Sequence, residues 1–578
     1  MSRPGFLALI HARAADLAPV RASAARLGLA VIVDNRALTY LASPDLPVAL
    51  LPDDAGVLIG HAFARSGRCA APAPETLIHY AATAKAGEIV NAIWGGYLLI
   101  RTGAGPATVL RDPSGAVSCY HAPLTSGRAI ASDAALLAAS GLIAPVIAWE
   151  QVASTALHVD ARSASTALSP IEELLPGTEL CLDRRLVRPV LHWKPSTHLV
   201  PLTHDFGEAA ALVREAALAS IGAWGARFAR PLLQLSGGLD SSIVAAGLGR
   251  ASIPAQCMTF RGRGSDLDEV RYAKVVADHF GFPLHPLAPD PSDIDLSRSA
   301  AAALPRPHAR SFAQVLDRLS LTLAREIHAD AFFSGAGGDD VFCYQGSVLP
   351  AIDRLALEGW RGFDATLRDL STLREVAYWD ALRKAAKRYL YPRPTRAWFR
   401  QTAFLTDQCA RDTPDPAEHA WNADCRDALP GKRAHVAGLV RIHNFLEAHE
   451  YQAHAPLVCP LLAQPLVEAC LGVPSWLWCA GGRNRAVARA AFTDILPETI
   501  LARRAKGSFD GFAARLVEDR RGALRELLCD GLLAEHRIVD RAAVATRLDA
   551  AAPVPGDDAN RLLDLADIEA WARSWHRD

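Results

Sequence analysis

Ser236, Gly237, Gly238, Asp240, Ser241 and Ser242 fall in one short stretch directly after the apolar run Leu232–Leu235. Pro231 and the apolar residues after it suit a strand entering a sheet. Gly237 and Gly238 let the backbone turn sharply and approach a ligand that no side chain would admit. Asp240, Ser241 and Ser242 are expected at the N-cap and first turn of a helix running through Ile243, Val244 and Leu248. Unpaired amides, two hydroxyls and the positive end of a helix dipole converge there, which suits phosphate groups. The carboxylate of Asp240 would repel phosphate unless a cation lay between them, which argues for Mg²⁺. No Gly-Lys-Ser/Thr follows, so this is not the Walker loop. The plain alternative is a structural turn that holds no nucleotide.

A second string of the same kind runs Ser334-Gly335-Ala336-Gly337-Gly338-Asp339-Asp340, after the apolar run Ala331–Phe333. Its glycines permit close approach, and Asp339 could supply a second carboxylate for Mg²⁺ opposite Asp240. Taken alone, a glycine-rich acidic loop is more often just a turn. Between the two strings, Cys257–Phe260 reads as a strand, with Thr259 and Phe260 emerging at the carboxyl edge where an adenine would rest. Gly262–Asp266 then forms a loop. A helix opens at Asp268-Glu269, with Tyr272, Val276 and Phe280 on one face. Strand and helix in short alternation predict a parallel, doubly wound α/β sheet.

Ser236–Ser242 resembles the pyrophosphate loop of the ATP-pyrophosphatases, which split ATP into AMP and pyrophosphate while activating a carboxyl or carbonyl group. Ser334–Asp340 is similar to the Ser-Gly-Glu-Gly-Ser-Asp-Glu segment of the asparagine synthetases, with Ala336 where their first Glu stands. The resemblance implies ATP and Mg²⁺ as cofactors. It assigns nucleotide binding to Leu235, Ser236, Gly237, Gly238, Asp240, Ser241, Ser242, Thr259, Ser334 and Gly335, and the metal to Asp240 and Asp339. Leu457–Leu462, Asn484–Phe492, Leu496-Pro497 and Arg503–Phe509 resemble the C-terminal half of the same synthetase domain. There Lys506 matches an active-site lysine that neutralises charge on the α-phosphate and the leaving pyrophosphate. A solvated basic turn is the alternative for that run.

These segments lie in the last two thirds of the chain, and what precedes them has another texture. Ala30–Val33, Val48–Leu51, Tyr97–Ile100, Thr108–Leu110 and Ala116–Tyr120 are strand-like, separated by turns such as Asp112-Pro113-Ser114-Gly115. A mostly β sandwich with a few helices accounts for them. Trp94–Tyr97, Arg111–Gly115 with Tyr120, and Ile130–Asp133 resemble the amidotransferase domain of asparagine synthetase, an N-terminal-nucleophile fold that releases ammonia from glutamine. That chemistry needs a cysteine directly after the initiator Met. Here position 2 is Ser2 and the nearest cysteine is Cys69. The Asn-Gly-Glu of the glutamine pocket is missing, with Gly87–Asn91 a scrambled echo of it. The expected organisation is therefore a degenerate amidotransferase-like domain over 1–195, a linker over 196–205, and a synthetase domain over 206–578.

Bulk properties limit the rest. The 578 residues exceed one core, and with 50% hydrophobic and 21% charged residues the mixture is an ordinary globular one. A net charge of −1 gives no global field to recruit nucleic acid or an acidic membrane surface. Eleven cysteines without any Cys-x-x-Cys pair argue for reduced thiols. No run of ~18 apolar residues appears, so a cytoplasmic protein without a membrane span is expected. Residues 350–440 read as helical, with Trp360, Trp379, Trp398, Phe399 and Trp421 either in the core or lining a groove for a peptide. His449 and His454 are five apart, which on a helix separates them by about 140° and argues against zinc.

Within the superfamily, asparagine synthetase requires the cysteine and the loop Glu, and β-lactam synthetase places a Tyr where Ala336 stands. Lasso peptide cyclases share a degenerate N-terminal domain and a Ser-Gly-x-Gly-Gly-Asp loop, and this chain resembles them best. The resemblance implies a ligase that adenylates an Asp or Glu side chain of a precursor core peptide, whose N-terminal amine then closes a macrolactam. It also implies a leader-peptide protease and a leader-binding protein as partners. Glu375, Glu447 and Glu450 are candidates for the base that takes the amine's proton. A β-lactam synthetase-like enzyme, an ammonia-dependent asparagine synthetase and a decayed scaffold without activity are the alternatives.

Overall fold

The computed structural model describes residues 4–11, 14–65, 74–103, 105–182, 187–262, 269–344, 346–391, 398–504 and 510–576. Ser2, Cys69, Lys506 and most of the loop Gly262–Asp266 lie outside the described residues. The chain is a mixed α/β structure, with a β-rich N-terminal part followed by a parallel sheet with helices. Residues 6–191 supply two six-stranded antiparallel sheets, with Phe6–Ile10 inside one and Ile93–Arg101 inside the other. Successive side chains of a strand point to opposite faces. Phe6, Ala8 and Ile10 therefore meet Val57, Ile59, Leu98 and Ile100 between the sheets. Leu7 and Leu9 face the other way, into a core shared with the C-terminal helices Asp510–Asp519 and Gly556–Trp575. Both faces being covered, all five residues of Phe6–Ile10 are buried.

One expected strand shifts. The segment predicted as Ala116–Tyr120 pairs only from Tyr120, in the strand Tyr120–Pro123. Side chains take up the backbone ahead of it: Arg111 donates to the carbonyls of Gly115 and Val117, at 2.8 Å each. The Asp112 carboxylate accepts from the Ser114 amide at 2.8 Å. Pro195–His198 is a 3₁₀ turn, and a helix begins at Phe206 with Asp205 accepting from the Glu208 amide at 2.8 Å. That helix runs to Gly225 and buries Ala210, Val213, Ala217 and Ile221.

The C-terminal part is built on five parallel strands in the order Leu284–Leu287, Gln256–Phe260, Pro231–Gln234, Ala331–Ser334 and Leu457–Val458. Pro231–Gln234 is central, with Gln234 beside Met258 on one side and Ser334 on the other. Both glycine loops therefore leave the same edge of the sheet from adjacent strands, where ligands bind in open α/β folds.

Buried ions tie the two parts together. Glu173, with a fully buried side chain, takes Arg111 at 2.8 Å, Arg162 at 2.6 Å and Arg306 at 2.9 Å. Arg162 also reaches Glu447 at 3.2 Å, and Tyr120 donates to Glu447 at 2.8 Å. Arg306 and Glu447 belong to the C-terminal part; the other residues belong to the N-terminal part. Burial, with the guanidiniums of Arg306 and Arg162 nearby, pushes His308 down to about 3, so it stays neutral. The ten described cysteines are free thiols. No helix among the described residues is long and apolar enough to cross a membrane.

A buried acid in the C-terminal helix gives a pH signature. Asp567 accepts from the Ser299 hydroxyl at 3.1 Å, and burial pushes its carboxyl up to about 7. The folded chain thus keeps a proton that the unfolded chain releases above about pH 4. This group therefore costs stability as the pH rises from there to about 7. Asp567→Asn is expected to raise the urea midpoint at pH 8, by the equivalent of about 1.4 kcal/mol per pKa unit removed, and to do less at pH 5. An equal gain at both pH values would mean that the charge is not the cause.

Candidate active site

The first loop owes its shape to glycine and to its own hydroxyls. Gly237 has φ +65°, and a Cβ there would lie 2.4 Å from Tyr272. The helix Leu239–Arg250 begins after Gly238, which is its N-cap. Asp240, Ser241 and Ser242 therefore lie inside the first turn, and none of them is the cap. The reason is local: Ser242 Oγ donates back to the Gly238 carbonyl at 2.7 Å, and Ser241 Oγ to the same carbonyl at 3.3 Å. Ser236 Oγ accepts from the Gly238 amide at 3.2 Å, which closes the turn.

The second loop packs into the first. A Cβ on Gly335 would lie 2.6 Å from the Ser241 amide nitrogen, and one on Gly338 would lie 2.4 Å from Asp240 Cγ. Gly337, at φ +86°, caps the short helix Gly338–Val341, which carries Asp339. Close approach of the two backbones is what brings the two carboxylates together.

The two loops line a cleft of about 330 Å³ that also takes in Phe260, Glu269, Arg310, Arg485, Arg489, Arg503 and Arg504. Of the residues the sequence proposes, Leu235, Ser236, Gly238, Asp240, Ser241, Thr259, Ser334 and Gly335 line it. Gly237, Ser242 and Asp339 do not: Gly237 backs onto Tyr272, Ser242 is buried with its hydroxyl spent on the helix, and Asp339 reaches the site through Arg485. Thr259 is buried, and its hydroxyl has no protein partner in the cleft wall. Ala336 lines the cleft and brings no ionisable group to it.

Arg485 is the residue that the sequence argument missed. Its Nη1 donates to both oxygens of Asp240 at 2.8 Å and to Asp339 Oδ1 at 2.7 Å. Burial alone would lower its pKa, but the two carboxylates outweigh that and hold it above the ordinary value. Arg489, lowered to about 10 by burial and the neighbouring arginines, donates to the carbonyls of Asn484, at 2.9 Å, and Arg503, at 3.0 Å. Arg503 stacks 4.1 Å from the Tyr272 ring centre and donates to the Ser236 carbonyl at 3.3 Å. The available signal was the pair Arg485 and Arg489 four residues apart, just after Gly481-Gly482.

The donor set fits a divalent cation. Two hard carboxylates from facing loops converge on one point, which a single nitrogen of Arg485 spans. Among the described residues no group of three or more His, Cys, Asp or Glu is arranged to hold a metal ion, so this place offers the two carboxylates and no third such ligand. His449 instead pairs with Asp317 at 3.4 Å, beside the 3₁₀ turn Glu450–Ala453.

A second cleft, of about 460 Å³, adjoins the first and shares Arg485, Arg489 and Arg504 with it. Tyr344, Arg374, Glu375, Arg483 and Asn484 also line it. Of the three candidate bases only Glu375 is placed here. Glu447 is committed to the buried Arg162 pair, and Glu450 is paired with Arg298. The aromatic residues of 350–440 divide: Trp398 and Trp421 are buried, whereas Trp360, Trp379 and Phe399 are exposed.

The sequence model of the asparagine synthase family matches residues 230–576, the part that carries both loops and the arginines that line the two clefts. No curated protein matches the chain. Among solved structures, an allosteric regulatory enzyme of purine biosynthesis is 9% identical, covering 49% of this chain and 80% of its own, with a TM-score of 0.21. Glutamine phosphoribosylpyrophosphate amidotransferase from B. subtilis, complexed with ADP and GMP, is 10% identical, covering 58% of this chain and 81% of its own, with a TM-score of 0.22. Likenesses at those scores add nothing to the fold described above.

Proposed function

The chain belongs to the asparagine synthase family and is an ATP-dependent carbon–nitrogen ligase; from that premise we propose that it closes the macrolactam of a lasso peptide. The observation that carries this reading is the second cleft. It shares Arg485, Arg489 and Arg504 with the cleft that Ala336 and the two loops line, is larger than ammonia needs, and is lined by Glu375.

The side-chain carboxylate of a peptide Asp or Glu attacks the α-phosphorus of ATP, and the bond to pyrophosphate breaks as the acyl adenylate forms. The peptide's N-terminal amine then bonds to the carbonyl carbon, AMP leaves, and the amine gives up a proton. Ser236, Gly238 and Ser241 cradle the phosphates, and Thr259 contacts the nucleoside. Asp240 and Asp339 would hold Mg²⁺, which supplies charge neutralisation for the phosphates and the leaving pyrophosphate. Lys506, outside the described residues, takes the catalytic role that the family resemblance gives it. Glu375, which lines the second cleft, takes the proton of the amine in this reading. A peptide already folded in the cleft gives its own amine a high effective molarity. A leader-peptide protease and a leader-binding protein follow as partners.

With Mg-ATP, a leader-free core peptide bearing an internal Asp or Glu is expected to give a product lighter by one water, about 18 Da, with AMP and pyrophosphate released. Mass spectrometry of the cognate peptide reads this, and changing the acceptor carboxylate to its amide abolishes it. Efficient conversion of aspartate and ammonia to asparagine, with the peptide left linear, would overturn the reading. A β-lactam synthetase-like activity is the second reading, because Tyr344 and Glu375 line one cleft. It predicts ring closure within a small amino-acid substrate instead of a peptide.

A further inference from the structure

The cation place between the two loops is held by a side chain. One nitrogen of Arg485 contacts Asp240 and Asp339 together. A divalent cation held by the same carboxylates would fall on the space this nitrogen fills, and like charges so close repel strongly in a part-buried site. Arg485 must therefore leave when the cation arrives. It has a second outlet: it lines both clefts, and its guanidinium lies 5.6 Å from the ring centre of Tyr344, which lines the second one. Its buried Nε has no hydrogen-bond partner in the present position. Its backbone is left-handed, at φ +54°, a conformation that costs energy for a non-glycine residue. The neighbouring arginines are less free to move, since Arg489 braces carbonyls and Arg503 grips the first loop.

We propose that Arg485 is a built-in counter-ion of the Asp240–Asp339 pair, displaced by the nucleotide's divalent cation into the second cleft, where its guanidinium receives the substrate's carboxylate. This rests on the ligase reading above and adds an order to it. Cation and nucleotide bind first, because only then is the carboxylate receptor released. The guanidinium fork suits that second task, since it pairs with a carboxylate through two parallel hydrogen bonds.

The test is a Mn²⁺ titration of the full chain without nucleotide, followed by electron paramagnetic resonance. An arginine that holds the site nine times in ten weakens apparent affinity about tenfold. Arg485→Met should therefore bind Mn²⁺ about tenfold more tightly than wild type, with Arg485→Lys in between. Unchanged or weaker binding in both variants overturns the proposal. If Arg485→Met folds only when Mn²⁺ is present, by circular dichroism, that also supports it, and if it never folds, Arg485→Lys decides alone.

The delivery half is read by calorimetry with N-acetylaspartate as the probe. Mg²⁺ with a non-hydrolysable ATP analogue should tighten its binding to wild type by at least about fivefold and leave Arg485→Met unaffected. No tightening in wild type overturns delivery. Pyrophosphate exchange by wild type reports separately on the ligase reading. Its absence, with the Mn²⁺ result intact, would remove that reading and leave the counter-ion.

Discussion

ATP-dependent pyrophosphate exchange falls by about 10³-fold when Asp240 is replaced by alanine, the scale on which preorganised charge acts at a reacting centre. The carboxylate sits in the first turn of the helix Leu239–Arg250, beneath the second loop, with Gly338 stripped of a side chain to admit it. Removing it takes away one of the two carboxylates that converge on the cation place and leaves Asp339 alone there. Asp240→Asn keeps the volume and loses the charge, so it should fall nearly as far. A variant that still unfolds cooperatively while exchange is lost separates this effect from a collapse of the loop. Exchange within tenfold of wild type would place the nucleotide elsewhere.

Glu173→Ala is expected to destabilise the chain by about 3–5 kcal/mol, the usual cost of stripping one partner from a buried ion group. Arg111, Arg162 and Arg306 would lose the one carboxylate that all three reach. Those arginines come from both parts of the chain, so the loss falls on their junction. A lower urea midpoint, with the junction cut earlier in limited proteolysis, is the expected result. The pH dependence follows from the same geometry. Burial alone would raise the Glu173 pKa, but the guanidiniums of Arg162, Arg306 and Arg111 override it and hold it far below the ordinary range. The stabilisation is therefore fully present above the unfolded value near pH 4 and is lost only as acid protonates the folded group. An unchanged midpoint in Glu173→Ala would show that the cluster adds nothing net.

The network also ties the N-terminal part to the rest. Its sheet face bearing Leu7 and Leu9 is covered by C-terminal helices, and its buried charges pair with Arg306 and Glu447 of the C-terminal part. Such a part has a structural task whatever chemistry it performs.

The sequence by itself determined the strands and loops that line the first cleft, because that information is local. Apolar runs ending in Gly237-Gly238 and in Gly335, Gly337 and Gly338 dictate turns wherever they occur, and carboxylates at fixed offsets follow. Parallel order followed too, from alternation of strand and helix. Only the tertiary structure decided the rest, because it depends on residues far apart in the chain. Asp240 and Arg485 are 245 positions apart and meet through one nitrogen. Glu375 is separated from Glu447 by its cleft, although sequence treats the two alike. Ser242, indistinguishable from Ser241 as a residue type, turns its hydroxyl into the helix because its backbone position puts the Gly238 carbonyl within 2.7 Å. Local chemistry sets which groups can act, and long-range packing sets which of them share a cleft.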